Sequence, residues 1–528
     1  MRLKNLLLSF GAFAVAPAFA TTYYVTPEGA GNKDGLTPEN AFGVEEFREQ
    51  ALKNVDGDVY ELAAGTYKPS ACIIFKRATY ATLNGSTEGR TILSGDQNND
   101  NHASNGDLQR LVRFMTVTGT GNSTKPVVIN NIDFTCVYTN MNEDPTEDDS
   151  KTNTGVAGVG ALYIDNSGDV TVKNCNFYGN WAQGEKGGPA AQCRRSTVKF
   201  VDCVFRGNSA NYRGGAVRLR TDNENKGITT FEGCVFKNNT NYHDYGGAIF
   251  MAQGNSLNIV NTTITGNKAW SGAAIYSNRV NFPGALRIIN STIAGNTVTG
   301  DNADGQITST QAANMSIVNS VIVSNDEKTS DILFNSVTST KDFFFTSGGY
   351  NYIGKVTDAN TEAPKEINWL DSDKTGADCT YASIFGENTI NSDNVIVPVK
   401  YFAGASGSQI ETAVKGWGLP SGLALAKDQN GKERTAGMMP GAYAITENEI
   451  PSLPTSVITT LEETADALSL VKTGNGIYTV KGATEGISVY TVNGAAVAAT
   501  SEDTIDISSF ANGLYIIKSG NAIFKVIK

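Results

Sequence analysis

Histidine is nearly absent from this 528-residue chain, which has only His102 and His243. Two imidazoles cannot build a multi-histidine metal centre. The seven cysteines show no C-x-x-C spacing, so a zinc knuckle or ribbon is not expected. Charge is also sparse, at 18% against about 25% in an average globular protein. There are 42 bases against 53 acids, a net charge of −11, and no Lys/Arg block occurs. Phosphate neutralisation needs clustered cations, so nucleic-acid binding is excluded. Beyond the first twenty residues no run of about 18 apolar residues occurs, and no transmembrane segment is expected. What the chain does have is 55 glycines and 40% hydrophobic residues, enough for a core.

Both ends are distinct. Arg2 and Lys4, the apolar run from Leu6 to Val15 and Ala18-Phe19-Ala20 read as an export signal over residues 1–20. A membrane anchor needs about 20 apolar residues, more than this core supplies. Removing the signal takes the net charge from −11 to −13. At the other end, Pro451-Ser-Leu-Pro454 is a linker over 451–456. Alternating strands follow, with Asn493-Gly494 and Asn512-Gly513 as hairpin turns. Val489-Tyr490…Gly494, Gly513-Leu514-Tyr515-Ile516 and the basic end Lys525…Lys528 resemble the C-terminal sorting domain of type IX secretion substrates. The resemblance implies a small β-sandwich over 457–528, the type IX machinery as partner, and passage across the outer membrane to the cell surface or medium. An Ig-like binding module is the competing reading.

Length alone predicts about three to four domains. An internal repeat overrides that estimate. An aromatic or Ile followed three residues later by Asn recurs at Phe177…Asn180, Phe205…Asn208, Phe236…Asn239, Ile264…Asn267, Ile293…Asn296 and Ile322…Asn325. The Asn spacings are 28, 31, 28, 29 and 29. Two further columns run upstream: Val172, Phe200, Phe231, Ile259, Ile288, Ile317, and Val170, Val198, Thr229, Leu257, Leu286, Met315. Their alternation is strand periodicity. One coil of short strands cannot bury its own face, so coils must stack at about 4.8 Å. Asn131, Asn174, Asn261, Asn290 and Asn319 mark one corner, Asn180 to Asn325 another; Asn tolerates left-handed backbone and can form amide ladders.

The fold expected is all-β: a right-handed parallel β-helix over 21–450, then the sandwich. The repeats resemble the β-helix superfamily that includes pectin-lyase-like proteins. Tyr23-Tyr24-Val25…Asp34-Gly35…Phe42 resembles that group's N-terminal module, and Asp428…Gly431…Arg434…Gly441-Ala442-Tyr443 its closing motif. The stretch 326–400 loses the rhythm and reads as decoration or cap. Gly214-Gly-Ala-Val217 and Gly246-Gly-Ala-Ile249, alternating with the Asn units, resemble repeats of polymorphic outer-membrane adhesins. Cys175, Cys203 and Cys234 continue as Thr262 and Ser291 in one inward column, read as a buried small-residue ladder with a disulfide as alternative.

The turns between the Asn and Gly-Gly-Ala units carry Trp181, Tyr212, Arg213, Tyr242, His243, Tyr245 and Trp270. Stacking makes them an aromatic ridge. After each Gly-Gly-Ala unit the outward position is assigned to Tyr163, Ala191, Arg218, Phe250 and Tyr276, a second outward column. Aromatics and Arg give large contact area at low entropy cost, so Trp181, Tyr212, Arg213, Arg218, Tyr242, His243, Tyr245, Phe250, Trp270 and Tyr276 are the candidate binding set. Stacking for solenoid stability is the competing role. Partners expected are an extracellular protein, of cationic character given the −13, or a polysaccharide. A polysaccharide lyase acting on uronic-acid polymers is the alternative; its base and partners would come from Arg213, Arg218, His243 and Tyr245, with Arg220, Asp222 and Glu224 nearby. No recognised catalytic signature is present. No cofactor is implied, although the acidic insert 143–149 offers oxygen ligands for Ca²⁺ as well as reading as a solvated loop.

Overall fold

The computed structural model describes residues 20–450, apart from 77–78, 105–112, 123, 140–159, 185–186, 221–226, 253, 279–283, 301–303, 311–313, 327, 336–343, 360–366, 377 and 392–393. It also describes 469–527, apart from 475–476, 482–485, 492–495, 511–513 and 520–521. The export signal (apart from its last residue), the acidic insert, the linker, Asp222, Glu224 and both Asn-Gly turns lie outside the described residues. The chain divides into two compact units, up to Pro451 and from Ser452.

The first unit is a right-handed parallel β-helix. One coil shows the plan: Thr197–Val201, Val204–Arg206, Ser209–Ala210 and Val217–Arg220 lie on four different sheets. We call these sheets one to four in that order. Among the described residues they hold 11, 11, 6 and 10 strands. The two upstream columns pair as expected on sheet one, Val198 with Thr229 and Phe200 with Phe231. Phe177, Phe205, Phe236, Ile264, Ile293 and Ile322 pair in sequence on sheet two. Inside, the rings of Phe134, Phe177, Phe205 and Phe236 stack at 4.5–4.9 Å and within 4° of parallel. Strand spacing sets that distance, and each aromatic pair adds about 0.5–1.5 kcal/mol beyond area burial. The N-terminal end is closed by the helix Val44–Ala51, whose Phe47 and Ala51, four residues apart and so on one face, are buried.

The corners follow backbone chemistry. Asn131, Asn174, Asn261, Asn290 and Asn319 all have φ of 48–59°, the left-handed region that Asn tolerates. The second corner differs from expectation. There the left-handed residue is the one before each Asn: Gly179, Gly207, Asn238, Gly266 and Gly295. The Asn side chains instead turn inward as a ladder, Asn180 Nδ2 donating to Asn208 Oδ1 at 2.9 Å and onward through Asn239, Asn267 and Asn296. Asn325 does not continue it. It is exposed, and the next rungs are Gln306 and buried Asp331. Asp331 accepts from Ser324 N, Gly354 N, Lys355 N and Gln306 Nε2.

Cys175, Cys203 and Cys234 are free, fully buried thiols that donate to backbone carbonyls two residues back. Thr262, Ser291 and Ser320 carry the same column on, each hydroxyl accepting from the previous coil's N–H. The region 326–400 is more regular than its sequence: Ser330–Asn335, Phe344–Ser347 and Tyr352–Ile353 extend sheets four, one and two.

The closing segment does not stack on the end. It runs back along the corner of sheets one and two. Asn319 Oδ1 accepts from Ala405 N, Asn290 Nδ2 donates to Leu425 O, and Asn261 Nδ2 to Ala424 O. Ala405, Ile410 and Val414 cover Val260, Ile289 and Val318. Its own turn is locked by Arg434, whose buried guanidinium donates to the carbonyls of Lys427, Met439, Gly441 and Ala442. The Asp428 carboxylate accepts from Asn430, Lys432 and Ala444 N–H groups.

Among its described residues the second unit has two antiparallel sheets of three and four strands. Tyr478 and Val480 of one and Ile487, Val489 and Ile517 of the other share one core, which makes it a β-sandwich.

Candidate functional site

The aromatic turns lie between sheets three and four. Thr240 pairs with Lys268, so Tyr242 and Trp270, each two residues on, are equivalent positions on adjacent coils. Asn241 shapes the first turn: its carboxamide oxygen accepts from His243 N and Asp244 N, and its Nδ2 donates to Tyr245 O. This is side-chain mimicry of a backbone turn, and it aims the neighbouring rings outward. Sequence reasoning passed over Asn241, although an Asn two and three residues ahead of His243-Asp244 is the signal for such a turn.

Four predicted ridge residues are strongly exposed: Tyr212 (36%), Tyr242 (55%), Tyr245 (38%) and Trp270 (49%). They are four of the seven exposed large hydrophobic residues among those described. His243 and Arg213 are exposed beside them, with the imidazole 6.1 and 6.4 Å from the rings of Tyr212 and Tyr242. Trp270 packs against Gly300, where a Cβ would meet its indole at 2.2 Å. Trp181 is not in the ridge column. It pairs with Tyr138 and Ser209 on sheet three, two residues before the turn, and packs edge-on against Tyr138.

The second column faces outward yet is buried: Arg218 and Phe250 are each 4% exposed and Tyr276 is 8%. The Gly-Gly-Ala turns fold back over it. Gly214 (φ 94°) and Gly272 (φ 60°) lie so close that a Cβ would meet Val217 O at 2.4 Å or Tyr276 Cβ at 2.8 Å. Tyr245 then stacks on Tyr276 at 4.3 Å, and Tyr276 on Phe250 at 5.7 Å. Arg218 pairs with Gln192, so Gln192, and not Ala191, is the outward residue of its coil. The sequence aligns the degenerate unit Gly187-Gly-Pro-Ala190 with Gly214-Gly-Ala-Val217, but Ala191 is the residue that pairs with Val217, an offset of one that flips the faces.

The charges of the edge are linked. Asp244 sits 4.0 Å from Arg213 Nε. Burial raises its carboxyl, while Arg213 and the buried Arg218 draw it back down. Arg213, His243 and Tyr245 thus share the exposed edge, whereas Arg218 lies beneath it. Among the described residues no group of three or more His, Cys, Asp or Glu could hold a metal ion, and no helix is long and apolar enough to cross a membrane. The arrangement offers flat aromatic faces, one guanidinium and one imidazole, stepped along the solenoid axis.

No family model matches the chain, and no curated protein matches it. Among solved structures it is similar to the pectate lyase Pel9A, at 15% identity over 66% of this chain and 82% of that one, with a TM-score of 0.36. It is similar to a rhamnogalacturonan lyase at 12% identity (66% and 90% covered, TM-score 0.34). A polygalacturonase from Erwinia carotovora ssp. carotovora has 11% identity (69% and 97% covered, TM-score 0.23). None of these values transfers an activity or a ligand to this chain.

Proposed function

We propose that the protein is an exported, surface-displayed binding protein whose aromatic edge holds an extracellular macromolecule, a protein or a glycan. The observation that carries this reading is the cluster of Tyr212, Tyr242, Tyr245 and Trp270, which place four large rings in solvent on one edge. A ring that served only the core would be covered, as Phe250 and Tyr276 are. Large exposed aromatics beside Arg213 match the composition of binding hot spots. The export signal and the sorting-domain resemblance supply the route outward. Arrays of glycans and of immobilised extracellular proteins are the test. Capture of a ligand that disappears with Tyr242→Ala plus Trp270→Ala supports the reading; equal capture by both forms overturns it.

The exposed grouping of Arg213, His243 and Tyr245 favours polysaccharide lysis as the second reading. Incubation with uronic-acid polymers, read by ultraviolet absorbance of unsaturated products, tests it. No absorbance change across the polymers removes it.

A further inference from the structure

A cleft of about 540 Å³ opens far from the aromatic edge, where the cap loop crosses the outer face of the first coils. Pro38 and Ala41 of the loop form one wall. The floor is a single column of sheet one, in which Tyr24 pairs with Glu61, Glu61 with Asn84, and Asn84 with Asn130. These rungs sit about 4.8 Å apart, so the cleft presents a hydroxyl, a carboxylate and two carboxamides in fixed order. Ser86, Thr87 and Glu88 line it from the following turn.

We infer that this cleft is a binding site for a neutral sugar ring, free or at the end of a glycan. Its polar groups are held but not used up. Asn84 Nδ2 donates to Glu61 Oε1 at 2.9 Å, and Asn130 Oδ1 accepts from Asn174 Nδ2 at 3.1 Å. Among the described residues nothing else engages Asn84 Oδ1, the Asn130 Nδ2 hydrogens, Glu61 Oε2 or the Tyr24 hydroxyl. Carboxamides donate and accept at once, and a carboxylate accepts only. Adjacent sugar hydroxyls, each donor and acceptor, satisfy such a row. The Pro38–Ala41 wall and Tyr24 ring suit the C–H face of the ring. The volume lies in the usual range of small-ligand sites. Glu61 and Glu88 are the charged side chains of the lining, and the nearest cation of the column is Lys173, one rung beyond Asn130 at the end away from Glu61. Two carboxylates in the lining against one cation beyond its end disfavour a uronate, which separates this site from the polymers of the lyase reading.

Calorimetric titration with glucose, galactose, mannose and N-acetylglucosamine, against galacturonic acid, tests the site. Saturable binding of at least one neutral sugar is expected, with galacturonic acid at least about tenfold weaker. Asn84→Ala and Glu61→Gln should each weaken the bound sugar about tenfold, the loss of one or two hydrogen bonds. Tyr242→Ala with Trp270→Ala should leave it unchanged, so failure here is distinct from failure of the aromatic edge. Unfolding midpoints identify any variant that has lost its fold, and the other variant then carries the test. No saturation by any neutral sugar up to about 50 mM, or binding indifferent to both substitutions, overturns the inference.

Discussion

Asn239 is the rung on which the amide ladder can be weighed. Its Oδ1 accepts from Asn208 N at 3.1 Å and Asn208 Nδ2 at 2.9 Å, and its own Nδ2 donates to Phe205 O at 3.0 Å. Asn239→Ala leaves the Asn208 N–H and one Nδ2 hydrogen without an acceptor, the other keeping Phe177 O, in a site with no solvent exposure. At about 1–3 kcal/mol for each buried unsatisfied group, the loss is about 4 kcal/mol. Asn325 stands at the same place in the repeat but is exposed, and Gln306 and Asp331 fill its rung. Asn325→Ala should therefore cost less than about 0.5 kcal/mol. Denaturant unfolding of the three proteins, followed by circular dichroism, measures the difference. Coils contact only their neighbours, so a lost rung also lowers the cooperativity of its segment. If Asn239→Ala falls within about 1 kcal/mol of Asn325→Ala, the ladder is ornament and the reasoning is wrong.

Other outcomes follow from the same geometry. Thiol titration of the native protein should modify half-exposed Cys72 and spare Cys175, Cys203 and Cys234, whose burial leaves Cys175 and Cys203 with raised thiols; rapid native reaction of the column contradicts this. Arg434→Ala takes their side-chain donor from the carbonyls of Lys427, Met439 and Gly441, while Ala442 O keeps Gln429 N, and should free residues 400–445 to early proteolysis with the coils still intact; unchanged cleavage would refute the clasp. Burial lifts the Asp331 carboxyl from 3.8 to about 7 against its four donors. A carboxyl raised on folding contributes stability that is full below about 4 and is lost as pH rises through about 7. Amide exchange at Gly354 and Lys355 should accordingly quicken, beyond its intrinsic pH dependence, from pH 5.5 to 8, and Asp331→Asn should abolish that excess.

The coil was legible because stacking imposes identity: each inward column meets its own copy about 4.8 Å away, so Phe177, Phe205 and Phe236 repeat in the chain. The left-handed Asn corner between sheets one and two was legible for the same reason, whereas at the other corner the left-handed residue is the one before each Asn. Features fixed by long-range contact were not. Nothing in the local sequence tells Asn325 that Gln306 enters its rung from sheet four. Nothing near Asn261 announces Ala424, 163 residues on, as its partner. Ala191 was misplaced because a one-residue offset in a degenerate glycine unit reverses the strand faces. Arg218, Phe250 and Tyr276 face outward as read, and their burial arises from backbone folded over them at Gly214 and Gly272. Of the site, the exposed rings were legible and the turn that presents them, built on Asn241, was not.

The aromatic edge is the central claim, and affinity for the ligand it captures tests it most directly. Each exposed ring in a binding hot spot is worth about 1–2 kcal/mol or more, so Tyr242→Ala with Trp270→Ala should weaken binding roughly 100-fold. Phe250→Leu, which alters the covered column beneath, serves as the control and should change affinity less than about threefold. Wild-type affinity retained by the double variant contradicts the account.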